Sequence, residues 1–131
     1  MSKASENWLR MRRKTKLELK KLLTELYERV NEHYELDEVL LYGSYAKGNP
    51  HEWSDVDVTL VSPNLKKKSI LGNVMDISQK IKFYDPDLQL VAFPSKTYYQ
   101  EDFVDKAFVQ EIKKTVKKIY SKDTGLDFSL L

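Results

Sequence analysis

The apolar positions of the chain fall into two rhythms. Trp8, Met11, Thr15, Leu19, Leu22, Leu26, Val30 and Tyr34 recur every three or four residues. That spacing predicts one amphipathic helix over about residues 5–34, packed on a core from Leu19 onward. The rhythm then changes. Val39-Leu40-Leu41-Tyr42 is a continuous apolar run closed by Gly43-Ser44, the pattern of a strand covered on both faces. Asp55-Val56-Asp57-Val58-Thr59-Leu60-Val61 predicts a second strand, stopped by Ser62-Pro63-Asn64. Ile70, Leu71, Val74, Ile77 and Ile81 return to the helical period over about residues 66–84, with Gly72 a mild cost inside it. A third strand is expected over Asp85–Phe93. Between Pro94 and Tyr120, a loop and then a helix are expected, its stripe being Phe103, Val104, Ala107, Phe108, Ile112, Val116 and Ile119. Asp123-Thr124-Gly125 would stop that helix. Residues 126–131 read as a loose tail, although Leu126, Phe128, Leu130 and Leu131 are apolar enough to dock on this chain or on a partner. The alternation predicts an α/β (α+β) fold: a small mixed sheet of three or four strands, with the long N-terminal helix and later helices packed on it.

Composition narrows this picture. At 131 residues, with 41% hydrophobic and 32% charged residues, the chain is expected to form one domain over residues 1–131 with a true core. The absence of cysteine excludes a disulfide framework and thiol chemistry. No apolar run reaches membrane-spanning length and no signal-peptide core is present, so a cytoplasmic protein without a membrane partner is expected. The net charge of +2 is unevenly spread. Residues 1–21 hold eight basic and two acidic side chains, and the remainder 14 basic and 18 acidic. The basic helical extension, residues 1–16, could contact nucleic acid, an acidic partner or a second copy of the chain. A solvated helix face explains the same charges, and no aromatic-rich strand accompanies them to stack bases.

The chemistry concentrates around the first two strands. Gly43 permits close approach of a ligand to the backbone, and Ser44 stands where it would cap a short helix over Tyr45–Lys47. Free N–H groups at such a helix start, with the Ser44 hydroxyl, could receive a phosphate. Lys47 could neutralise phosphate charge, or simply decorate the short helix. Asp55 and Asp57, two apart on a strand, share one face, and two carboxylates that close call for a cation between them. In the connecting loop His51 could reach a phosphate and Trp53 could stack on a base, though a lone loop histidine is more often simply solvated and a tryptophan here more often packs under the loop.

Gly-Ser, ten residues, then Asp-x-Asp is the signature of the polymerase-β-like nucleotidyltransferases, and Gly43-Ser44 … Asp55-Val56-Asp57 matches it without a gap. The chain resembles the minimal, stand-alone members of that superfamily (MNT type) from about Leu36 to Leu90. The resemblance implies a Mg²⁺-dependent transferase moving a nucleoside monophosphate, AMP from ATP or the equivalent part of another NTP, onto a hydroxyl. Gly43 and Ser44 would hold the β- and γ-phosphates and Asp55 and Asp57 two Mg²⁺ ions. It further implies a partner, since minimal members are often paired as antitoxins with a separate helical protein of the HEPN type. Members usually carry a third acid on the next strand, as metal ligand and proton acceptor. Here the register places Gln89 there, and Gln can offer an oxygen to a metal but cannot take a proton. Asp87, two residues earlier, either replaces it or is a turn residue after Pro86. Without that acid the chain is a weak or inactive nucleotide-binding or docking module of the same fold.

Overall fold

A computed structural model of the chain describes residues 14–51, 54–66, 69–100 and 106–131. Its first described helix, α1 (Lys16–Asn31), opens on a reciprocal cap. The Thr15 hydroxyl accepts from the Glu18 N–H at 3.2 Å, and the Glu18 carboxylate accepts from the Thr15 N–H at 3.3 Å. Thr15 is extended (φ −71, ψ 167), so no helix runs through it. The expected helix over 5–34 is therefore corrected at both ends, with Thr15 a cap rather than part of the stripe and Tyr34 buried in the turn beyond Asn31. Trp8 and Met11 lie outside the described residues, as does most of the basic extension. Replacing Thr15 by Ala should cost about 1 kcal/mol, read as a lower urea midpoint at unchanged slope.

After α1 come β1 (Glu38–Tyr42), the short helix α2 (Gly43–Lys47), β2 (Val56–Ser62), α3 (Ile70–Ile81) and β3 (Leu88–Pro94). The chain continues through α4 (Ser95–Gln100), α5 (Lys106–Thr115), β4 (Lys117–Ser121) and β5 (Gly125–Leu126). The strands form one mixed sheet in the order β3-β2-β1-β4-β5. β1 lies at its centre, antiparallel to both β2 and β4. β2 and β3 run parallel, joined by α3 as a parallel pair requires.

Side-chain alternation assigns the two faces. Val39 and Leu41 of β1, with Val56, Val58 and Leu60 of β2 and Ile119 of β4, are fully buried with Leu23, Leu26 and Val30 of α1. The opposite face carries Leu40, Val61, Val91 and Phe93 beneath Tyr98, Val109 and Ile112. At the sheet end remote from Gly43, Glu38 is buried and satisfied, its carboxylate accepting from the Tyr99 hydroxyl at 3.0 Å and pairing with Lys118 at 2.8 Å. Asp37 beside it accepts from the Ser95 hydroxyl and pairs with Lys122 at 3.4 Å.

Several expected boundaries move. α3 begins at Ile70, capped by the Ser69 hydroxyl accepting from the Gly72 N–H at 3.1 Å, and ends at Ile81. The helix expected to reach Tyr120 stops at Thr115, and the positions from Lys117 onward form β4, which raises the sheet to five strands. Asp123-Thr124-Gly125 turns the chain into β5 instead of stopping a helix. Beyond Leu126, Phe128 and Leu131 pack against the main core, the docking alternative for the tail. Among the described residues, no helix is long and apolar enough to cross a membrane.

Candidate active site

The end of β1 and the start of β2 meet because the two strands are antiparallel neighbours, with Tyr42 directly opposite Asp57. The chain leaves Tyr42 and turns at once through Gly43, whose φ of +72 is left-handed and open to glycine. This turn brings the Gly43 α-carbon against the Asp57 carboxylate. A side-chain carbon added at Gly43 would collide with Asp57 Oδ2 and lie 3.3 Å from its Cγ. The two halves of the motif, 14 positions apart, thus share one corner of the sheet. α2 starts at Gly43 with no side-chain cap, so Ser44 lies inside its first turn, a correction to its expected capping place. Lys47 is exposed at the last turn of α2. Gly48 closes it in a left-handed conformation, and the Asn49 N–H donates back to the Ser44 carbonyl at 3.2 Å.

Asp57 is half-buried and Asp55, one residue ahead of β2, is exposed. Burial, and then the neighbouring charge of Asp55, push the Asp57 carboxyl up to about 6. Burial and the charge of Asp57 in turn push the Tyr42 phenol up to about 12. A carboxyl pushed up in this way marks a negative charge that burial and its neighbour leave uncompensated, and a cation would relieve it. A pair of hard oxygen donors open to one side fits Mg²⁺, which takes one or two carboxylates and completes its shell with water and substrate phosphate.

Gln89 stands beside Asp57 across the parallel ladder and is exposed. One position ahead of the first ladder pair, Val56 and Leu88, come Asp55 and Asp87, and the Val56 N–H donates to the Asp87 carbonyl at 2.7 Å. Asp87 itself is in the turn before β3, its N–H donating to Asp85 Oδ1 at 2.9 Å. Its carboxylate pairs with the ammonium of Lys14 at 3.2 Å, and the same ammonium reaches Asp85 at 3.3 Å. Among the described residues no group of three or more His, Cys, Asp and Glu is placed to hold a metal ion. His51 is exposed in the loop, its N–H donating to the Ser54 hydroxyl at 2.9 Å, and Trp53 lies outside the described residues.

Two contacts at this corner carry no signature in the sequence. Thr115, the last residue of α5, accepts the Gly43 N–H on its hydroxyl at 3.1 Å, tying the C-terminal helix to the turn. Lys14 is the other. Burial works against its charge, yet Asp87 and Asp85 together raise its pKa, and its backbone N–H donates to the Tyr45 hydroxyl at 2.8 Å.

The family model for the nucleotidyltransferase domain matches residues 19–123, from α1 through β4. The chain belongs to the nucleotidyltransferase-domain family. A relative from Methanocaldococcus jannaschii, a proposed protein adenylyltransferase, is 36% identical over 50 residues, which are 38% of this chain. The match spans 58% of that relative's length. The crystal structure of a proposed nucleotidyltransferase from Sulfolobus solfataricus overlays at a TM-score of 0.61 and 19% identity, covering 98% of this chain and 96% of that one. The fold of the nucleotidyltransferase is therefore common to both. A toxin–antitoxin structure with AMP-PNP overlays at a TM-score of 0.48 and 16% identity over 75% of this chain and 72% of that one, too low a likeness to argue from.

Proposed function

We propose that this nucleotidyltransferase-family chain transfers AMP from ATP to a hydroxyl of a partner protein, with release of pyrophosphate and in the presence of Mg²⁺. The observation that carries the reading is the approach of the Asp57 carboxylate to Gly43, which joins the phosphate-side turn and the carboxylate pair at one corner. In the reaction the acceptor oxygen bonds the α-phosphorus, the bridging bond to the β-phosphate breaks, and pyrophosphate leaves with that electron pair. Gly43 and Ser44 border the space for the departing phosphates, and Lys47 stands one helical turn away to offset their charge. Asp55 and Asp57 would hold the Mg²⁺, which when bound offsets charge on the phosphates; Gln89 can add a carbonyl oxygen. Gln89 cannot take the acceptor's proton, so that proton would pass to the exposed Asp55 carboxylate or to solvent. A protein acceptor is supported by the similarity to the adenylyltransferase relative, and a helical HEPN-type partner by the resemblance to minimal members.

The test is transfer of label from α-labelled ATP to protein in the presence of candidate helical partners. Label retained on a partner with Mg²⁺, absent with EDTA and absent with Asp55→Asn, is the expected result. ATP binding without transfer to any hydroxyl would favour a second reading, a nucleotide-binding docking module. That reading draws on Gln89 beside Asp57 and on the pairing of Asp87 with Lys14.

A further inference from the structure

Lys14 is an unusual lysine. Its side chain is 14% exposed, its ammonium lies 3.3 Å from Asp85 and 3.2 Å from Asp87, and its backbone is fixed to Tyr45 in α2. Lysines are rarely so covered unless they are paired. The two aspartates are locked together as well, by the turn in which Asp85 Oδ1 accepts the Asp87 N–H. Asp87 is meanwhile the acid that the strand ladder brings alongside Asp55, one step ahead of the Val56–Leu88 pair.

We propose that Lys14 is a positioning residue that withholds Asp87 from the metal site, its ammonium serving as a tethered cation in the acidic corner of Asp85 and Asp87. The proposal rests on the reading of Asp55 and Asp57 as the metal carboxylates. A metal ion and an ammonium compete for the same carboxylate oxygens, and a tethered competitor is always present at high local concentration. While Lys14 is seated, cation binding depends on Asp55, Asp57 and Gln89. When it is drawn off, the Asp87 carboxylate is released beside Asp55, because its backbone carbonyl accepts the Val56 N–H at the start of the same ladder. Lys14 thereby links the segment that carries it to the metal content of the site.

The test is Mn²⁺ binding to the full chain without nucleotide, followed by calorimetry and by the spin-resonance signal of the free ion. Lys14→Gln should bind Mn²⁺ about tenfold more tightly than the parent, or take up an additional ion, as expected when one neutralising charge a few ångströms away is removed. Lys14→Arg should behave as the parent. Asp87→Asn should leave Mn²⁺ affinity unchanged while Lys14 is present, yet abolish the gain when combined with Lys14→Gln. Unchanged or weaker binding in Lys14→Gln, or a gain that survives Asp87→Asn, would overturn the proposal. If Lys14→Gln does not fold, the single Asp87→Asn variant decides: weaker binding than the parent rejects the idea and equal binding supports it. Asp57→Asn reports separately on the metal carboxylates. Its failure to weaken binding refutes that reading, while an Asp87-dependent gain in Lys14→Gln would still stand.

Discussion

Metal-free Asp57→Asn protein is expected to unfold at a higher urea concentration than the parent at pH 7.5, and at nearly the same concentration near pH 4. The cause is the carboxyl whose burial and neighbour Asp55 push it up to about 6. A folded-state value above the unfolded one means that the folded chain holds the proton more tightly. Stability contributed by this group is thus fully present below about pH 4, falls as pH rises toward 6, and stays low above it. Taken without screening, the shift corresponds to roughly 3 kcal/mol, and solvent around the half-exposed group reduces this to about 1 kcal/mol. Asparagine has the same shape without the charge and escapes that cost. Mg²⁺ should reverse the order by stabilising the parent and not the variant. Transfer activity should fall by about a thousandfold or more, since several kcal/mol of charge stabilisation depend on the carboxylate. Urea titrations at the two pH values with EDTA, repeated with Mg²⁺, check every part. A variant less stable than the parent at pH 7.5 would contradict the account.

Gly43→Ala should damage both stability and activity. The residue sits at φ +72, where a side chain is strained, and its new carbon would strike Asp57 Oδ2. Left-handed strain and displacement of a packed carboxylate together cost about 2–4 kcal/mol. Displacing that carboxylate by even 1 Å should lower transfer by about a hundredfold. Gly48→Ala provides the comparison. Gly48 has φ +79 but nothing within 4 Å of the added carbon, so strain of about 1 kcal/mol is all it should show, with activity kept. Denaturant midpoints and initial rates for the two variants separate strain from collision. Equal losses of activity would mean that the Gly43–Asp57 contact does not matter to the reaction.

The parts legible in the sequence were those whose signal is local. Gly43, Ser44, Asp55 and Asp57 lie in or beside two short apolar runs, and the antiparallel pairing of those runs sets Gly43 against Asp57. The start of α1 is also written locally, as Thr15-x-x-Glu18, but Thr15 falls in phase with Met11 and Leu19 and so reads as part of the stripe. β4 was hidden for a similar reason. Ile112, Val116 and Ile119 keep a helical spacing, and only the β-branched pair Thr115-Val116 hints that the helix has ended. Lys14 with Asp85 and Asp87, and Thr115 with Gly43, were invisible because each joins residues about seventy positions apart. For Asp87 the sequence left open a site acid or a turn residue, and in the structure it lies in the turn, held by Lys14.

The sheet order also bears on how the chain is made. β1 is flanked by β2, which follows it closely, and by β4, which begins only at Lys117. During synthesis the first flank of β1 can be covered early, whereas the second must wait for the last part of the chain. At roughly 5–20 residues per second, the backbone groups of Val39–Leu41 that will face β4 remain unpaired for several seconds. For that interval the most apolar strand of the protein is an open edge, and the nascent chain is at its most prone to stick.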